Sequence, residues 1–415
     1  MKRKNRYFLI IACTTLIVIY SSIGILKAHS GDSQLSKSLN TLMEEGVQQE
    51  LFPGAVLLVA QDGKIRHRRA YGYAQKYSFD GTALEKPVAM SVEHLFDVAS
   101  MTKVFATTFG IMLLVDRGEL QLDDFLYKYI GGFDEGEKRK ITIRQLLRHK
   151  AGFAPWKPVY YHASDKDESL AYITSIPLKY PVGAERHYSD LGFMILGHLI
   201  EKITGKSLDL YLKENLYDRL GLQNTTFRPL TRGYKKIAAT SHGNPLEGRM
   251  VTDDTFGYIC DEDPDDFQKW RHYTLKGEVN DGNAYYANGG VAGHAGLCST
   301  GDDLKILVDL LVNKGFLKGK RYISPETVEM FLEKDEFGNG LGWSLNRKFI
   351  KADGAPEGTF GHTGFTGCNV VVMPANRSII ILLTNCQNVG VGGKGYYPNL
   401  NKLRRNIVRI VLEEM

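Results

Sequence analysis

An α+β fold is predicted for this 415-residue chain: an antiparallel sheet of five or more strands, flanked by helices, with a mostly helical insertion. Three observations predict it. A hairpin pattern lies near each end of the sequence, the long middle carries helical periodicity, and the final residues return to an amphipathic helix. Both ends therefore contribute strands to one sheet, and the middle is inserted between them.

The elements follow in order. Over residues 31–52, Leu35, Leu39, Leu42, Met43 and Val47 recur at helical spacing. Residues 54–60 are apolar, Gln61-Asp62-Gly63 is turn chemistry, and 65–72 resume as a second strand. Helical patterns then cover 100–117, 143–149, 191–204, 208–220, 302–313 and 325–333. Gly118, Gly205, Gly221 and Gly315 stand where a left-handed residue closes a helix. Residues 230–300 are rich in Gly, Asp and Asn with little periodicity, and so long a loop in a compact domain is usually functional. A further strand is expected over 340–349. Residues 367–373 and 378–384 are β-branched runs joined by Pro374-Ala375-Asn376-Arg377, a second hairpin, and 400–413 closes the chain as a helix.

With 43% hydrophobic and 24% charged residues, the chain can build a core and is neither disordered, collagen-like nor coiled-coil. Its formal charge is +5, but Lys2, Arg3, Lys4, Arg6 and Lys27 all precede the first acid, Asp32, so the remainder is balanced. A nucleic-acid partner is not expected, because displacing counterions from phosphates needs a basic surplus in the folded part. The basic cluster precedes an uncharged, largely apolar run from 7 to 26, long enough to span a bilayer, with the chain after Lys27 outside. Residues 1–30 thus read as a membrane anchor, or as a signal segment if cleaved, and 31–415 as one domain. Its sheet is expected from about 50–75 and 335–390, with the helical insert between about 100 and 330. Cys260, Cys298, Cys368 and Cys386 read as small buried hydrophobes.

Ser100-Met101-Thr102-Lys103 opens a run, 104–115, without one charge. A helix apolar around its circumference must be buried. Ser100 and Lys103 are three apart, so their Cβ atoms lie about 5–6 Å apart on one face and the side chains can meet. The helix dipole at this first turn favours an oxyanion on Ser100 and disfavours protonated Lys103. Burial acts on the lysine in the same direction, which would make it a base near neutral pH. A Ser N-cap beside a snorkelling lysine is the plain structural account. Against it, this is the only Ser-x-x-Lys in the chain, and lysine is almost never buried without a partner or a task.

Tyr188-Ser189-Asp190 stands directly before an apolar helix, where Ser189 or Asp190 is a natural N-cap and Tyr188 sits at the helix mouth. Gly361-His362-Thr363-Gly364 enters the strand that continues through Val370-Val371-Val372, and a glycine-flanked edge strand lets a substrate approach the backbone. Taken singly, each has an ordinary structural explanation.

In this order and at these spacings, Ser-Met-Thr-Lys, Tyr-Ser-Asp and His-Thr-Gly resemble the three motifs of the serine penicillin-recognising superfamily. It comprises class C β-lactamases, D-Ala-D-Ala carboxypeptidases, related penicillin-binding proteins and esterases. The resemblance extends over about 40–415 and includes Pro53-Gly54-Ala55, Leu95-Phe96-Asp97-Val98-Ala99, Leu146-Leu147-Arg148-His149 and Gly340-Leu341-Gly342-Trp343. It implies a β-lactamase/transpeptidase-like fold and acyl transfer without a cofactor. Ser100 would attack a carbonyl, Lys103 and Tyr188 would handle the protons as one coupled unit, and the N–H groups of Ser100 and Phe365 would form an oxyanion hole. His362, Thr363 and Gly364 would orient the substrate.

Two departures bear on the substrate. Asp190 replaces the family's usual Asn, turning an amide donor for the acyl side chain into an acceptor. His362 replaces the Lys of the β-lactamases and pulls less on a carboxylate. The segment 280–296 looks like a loop of wall-muropeptide-associated members and would line the pocket through Asp281, Asn283 and His294. The alternative is a turn-rich loop with a surface histidine. A metal on Asp281 and His294 lacks any ligand spacing, and no metal is expected. Gly390 to Gly395 fits a dinucleotide fingerprint, but only 20 residues follow it, too few for a helix and a returning strand.

The expected function is a serine acyl hydrolase facing the cell wall from the membrane, or secreted if the leader is cleaved. It would act on a cell-wall peptide or other small acyl substrate, as a D-Ala-D-Ala carboxypeptidase-like enzyme or another muropeptide amidohydrolase. An esterase or weak β-lactamase is the alternative. A binding or sensor protein that keeps the scaffold is the alternative of another class.

Overall fold

The computed structural model describes residues 33–345, except 257 and 259, and residues 354–415. The expected leader lies outside the described residues. So do residues 346–349 of the strand expected over 340–349, and the described part of that stretch makes only isolated bridges, Asn339 with Ser344 and Ser344 with Gly361.

The core of the fold is a six-stranded antiparallel sheet. Its strands are β1 (Gly54–Gln61), β2 (Lys64–Tyr77), β3 (Ala83–Ala89), β4 (Phe360–Thr363), β5 (Asn369–Met373) and β6 (Ser378–Thr384), in the spatial order β4-β5-β6-β1-β2-β3. The two ends of the chain meet at β1 and β6, with Leu57 opposite Leu382. Asp62 and Gly63, both at positive φ, close the first hairpin, as the turn residues predict. β3 escapes a reading by hydrophobic pattern because it is an exposed edge carrying Glu85, Lys86 and Pro87.

The centre of the sheet, β1, β5 and β6, is buried on both faces, which is why β1 is apolar throughout rather than alternating. Ala55, Leu57 and Val59 pack with Val371, Met373, Ile380 and Leu382 against the terminal helices, α1 (Gln34–Gln48) and α4 (Asn401–Glu414). Val56, Leu58 and Ala60 face the larger core built by the middle of the chain, which includes α2 (Asp190–Thr204) and α3 (Gly301–Val312). Each such side chain contributes about 1.5–3 kcal/mol on burial, so enclosure on both faces is what secures so apolar a sheet.

The helical segment Ala99–Asp116 is long and apolar enough to cross a bilayer, yet most of it is buried in that larger core. It starts as a 3-10 turn (Ala99–Met101), continues as a π-helix (Lys103–Thr108) and ends as an α-helix (Phe109–Asp116). Gly205 and Gly221 close their helices in the left-handed conformation, as placed from sequence. The 230–300 region is mainly loop, with a short helix (Gly282–Tyr286) and a two-stranded ribbon, Ala239–His242 with Thr274–Lys276. The cysteines 260, 298, 368 and 386 are all free, and the last three are buried.

Candidate active site

Ser100 is presented by a strained turn. Ala99 adopts φ +46°, a left-handed conformation that a non-glycine residue holds only when its surroundings impose it. Asp97 imposes it. Its Oδ1 accepts the Ala99 N–H at 2.8 Å and its Oδ2 accepts the Asn280 N–H at 2.7 Å, while its backbone carbonyl accepts Thr366 Oγ1 at 2.7 Å. The buried Asp97 carboxylate thus ties the Ser100 turn to the 280 loop, and the Asp97 backbone carbonyl ties it to the segment after β4. Burial raises the Asp97 carboxyl to about 6, against the pull of those two amides.

Lys103 is fully buried beneath Ser100. Its Nζ donates to Ser100 Oγ at 3.0 Å and to the His294 carbonyl at 3.2 Å, and forms an ion pair with Asp190 Oδ1 at 2.6 Å. The pair overturns the expectation of a lysine whose pKa is lowered until it is a free base near neutral pH. Burial does work to lower the Lys103 pKa, but the charge of Asp190, and then Tyr188, more than reverses it, so the ammonium form is favoured. The dipole of one short 3-10 turn cannot compete with a carboxylate in contact.

Tyr188 completes the cluster, its hydroxyl within reach of Lys103 and Ser100. Burial raises its pKa, with the Lys103 charge opposing. The ring lies 4.5 Å from that of His149, centroid to centroid, and His149 Nδ1 accepts the Ser189 N–H at 3.1 Å. Ser189 is the N-cap of α2. Holding Tyr188 beside Lys103 is therefore a task shared between a helix cap and the buried His149, which the sequence showed only as the end of the segment 146–149, with no role attached. Asp190, expected to meet the acyl side chain, is instead turned onto Lys103 and is not among the residues that line the cavity.

His362 lies on β4, the sheet edge nearest Ser100. Burial and the Lys103 charge hold its pKa down to about 3, so it is neutral. Its Nδ1 lies 2.8 Å from the Thr363 carbonyl and donates to it, leaving Nε2 as an acceptor. Gly364 packs under the Ser100 turn, where a Cβ would stand 2.4 Å from the Val98 carbonyl oxygen. No side chain can be accommodated there without parting β4 from Ser100. Phe365 follows, 53% exposed at the cavity mouth.

Ser100, Tyr188, His362, Thr363, Gly364 and Phe365 line one cavity of about 420 Å³, together with Arg186, Asn339 and Ser344. Residues separated by up to 265 positions in sequence thus share one site, with Lys103 and Asp190 beneath it. Arg186 was missed from sequence, although its position two residues before Tyr188 in an extended segment places both on one side.

Asp281, Asn283 and His294 do not line this cavity. They lie behind Lys103, and His294 is buried rather than on the surface. His294 Nε2 is 2.8 Å from Asp281 Oδ1, which also caps the helix Gly282–Tyr286 through the Ala284 N–H, and Asn283 donates to the Lys157 carbonyl. The glycines of this loop allow the close approach. A Cβ on Gly293 would fall 2.0 Å from the Phe193 carbonyl oxygen of α2. Among the described residues, no three His, Cys, Asp or Glu side chains form a group able to hold a metal ion.

Residues 39–399 match the family model described as Beta-lactamase. The chain is 36% identical over 371 residues to an N-acetylmuramyl-L-alanine amidase of Bacillus subtilis (strain 168), covering 84% of this chain and 80% of that protein. It is 35% identical over 386 residues to a putative D-alanyl-D-alanine carboxypeptidase of Escherichia coli (strain K12), covering 86% and 85%. Among solved structures, an octameric penicillin-binding protein homologue from Pyrococcus abyssi superposes with a TM-score of 0.65 at 20% identity, covering 92% of this chain and 77% of that one. The hydrolase EstCE1, which has promiscuous acyltransferase activity, superposes at 0.67 and 18%, covering 92% and 99%.

Proposed function

This chain belongs to the beta-lactamase family of serine hydrolases, and from that premise we propose that it is an extracytoplasmic acyl hydrolase of cell-wall peptides, working through an acyl-enzyme on Ser100. The observation that carries the reading is the contact of Ser100 Oγ with Lys103 Nζ at 3.0 Å, on the floor of a cavity large enough for a peptide acyl group. A serine hydroxyl is a weak nucleophile, and an adjoining cluster that can accept its proton is what activates it.

In the proposed reaction, Ser100 Oγ attacks the carbonyl carbon and its proton passes to the Lys103–Tyr188–Asp190 cluster. The oxyanion is held by the N–H groups of Ser100 and Phe365, each such donor contributing about 2.7–4 kcal/mol of barrier lowering. The cluster returns the proton to the departing amine. Water then attacks the acyl-enzyme, giving up a proton to the same cluster, and Ser100 leaves with it.

The names of the relatives supply the substrate class: an N-acetylmuramyl-L-alanine amide or a D-alanyl-D-alanine peptide. An export segment over residues 1–30, as the sequence pattern suggests, would bring the enzyme within reach of such a substrate. The test is chromatography of muropeptides before and after exposure to the domain, with fluorescent penicillin as a probe of Ser100. Release of a stem peptide or a terminal alanine, lost in Ser100→Ala, is expected. Inertness toward every muropeptide, ester and β-lactam tried favours the non-catalytic sensor.

A further inference from the structure

Arg186 brings to the cavity a positive charge that no described residue pairs. It lines the same space as Ser100 and His362, with its Cζ 5.9 Å from the centre of the Tyr188 ring. Its Nε is buried without a hydrogen-bond partner, and among the described residues the guanidinium donates no hydrogen bond and joins no ion pair. Two of the acids near it are already engaged: Glu185 meets His187 at 3.2 Å and Asp190 meets Lys103 at 2.6 Å. The third, Asp335, accepts the Phe337 and Asn339 N–H groups on Oδ1 at 3.0 and 2.8 Å, while its Oδ2 takes no hydrogen bond and lies 3.8 Å from Arg148, so its charge acts on Arg186 without pairing it. Withdrawing a guanidinium from water without a counter-charge is costly, and its planar fork of donors fits a carboxylate better than any neutral group.

Among the described residues that line the cavity, no other offers that charge. His362 is neutral and its Nδ1 is committed to the Thr363 carbonyl. Lys103 is sealed beneath Ser100 and neutralised by Asp190. We infer that Arg186 is a specificity residue of the acyl-transfer site, binding a carboxylate of the substrate close to the scissile bond. The substrate class is thereby narrowed to acyl compounds carrying a free carboxylate, an inference that rests on the acyl-hydrolase reading above.

The test is a matched pair of small peptide thioesters that differ only in a terminal carboxylate or carboxamide, assayed on the exported domain. A hydrogen-bonded charge pair is worth about 10- to 100-fold in kcat/KM, so the wild type should prefer the acid by that factor. In Arg186→Gln the preference should collapse to within about threefold, chiefly through KM, and Arg186→Lys should restore part of it. A wild type that turns over both without preference overturns the inference and leaves the acyl-hydrolase reading standing, and this comparison needs no variant to fold. A preference retained in Arg186→Gln overturns the inference as well. If neither thioester is turned over and a fluorophosphonate leaves Ser100 unlabelled, the underlying reading fails and takes the inference with it.

Discussion

Lys103 Nζ and Asp190 Oδ1 lie 2.6 Å apart, a lysine with no exposed surface joined to the residue that begins α2. The pair gives Ser100 a neighbour whose ammonium form is favoured. If Ser100 is the nucleophile, reactivity must be reached by taking a proton from the contact between Lys103 and Tyr188.

This sets the direction of the pH dependence. Asp190 raises the Lys103 pKa, so kcat/KM should climb on the alkaline side as the cluster loses a proton. Asp190→Asn removes that charge and should move the alkaline limb to lower pH by about one unit or more. A pH–rate profile of the two proteins checks it, and a limb that stays in place or moves upward refutes the role of the pair.

Ser100→Ala should abolish labelling by fluorescent penicillin. Lys103→Ala should lower the acylation rate at least about 10²-fold, the lower end for a lost proton-transfer group. Stopped-flow acylation of a folded variant at a near-normal rate would exclude Lys103 from proton transfer.

Gly364→Ala places a methyl group 2.4 Å from the Val98 carbonyl oxygen. Overpacking of this kind costs about 1–3 kcal/mol, and here the strain falls on the contact between β4 and the nucleophile turn. Both the melting temperature and the acylation rate should fall. Gly248→Ala, in the helix Pro245–Thr252 with no atom within 4 Å of the added Cβ, should leave acylation unchanged and stability equal or higher. Equal behaviour of the two variants would refute the assignment.

His198 on α2 is buried, and burial followed by the charges of Lys166 and Lys202 depresses its pKa from 6.5 to about 3. Above pH 6.5 it is neutral in both folded and unfolded chains and stability does not depend on its titration. Below that, only the unfolded chain takes the proton, so stability declines toward pH 3 with a slope of up to about 1.4 kcal/mol per pH unit from this group. His198→Gln should flatten that decline in denaturant titrations between pH 6.5 and 4. An unchanged slope would show that other groups govern the acid limb.

Much of the architecture was legible because it is local. The Asp62-Gly63 turn, the apolar runs of β1, β5 and β6, the Ser189 cap and the closing glycines Gly205 and Gly221 are each stated by a few adjacent residues. β3 was not, since an exposed edge needs no apolar pattern, and the short strand Phe96–Asp97 is too brief to announce itself.

The chain by itself determined the sheet drawn from both ends and the three motifs that meet at Ser100, though not Arg186 beside them, because periodicity, turn chemistry and motif order are written along it. Only tertiary structure decided their electrostatics. Whether Lys103 is charged depends on Asp190, whether His362 is neutral depends on how deeply β4 is covered, and whether Arg186 has a partner depends on where Asp335 turns. Coulombic and desolvation energies vary with distance in space and depth from solvent, and neither quantity is carried by position in a sequence.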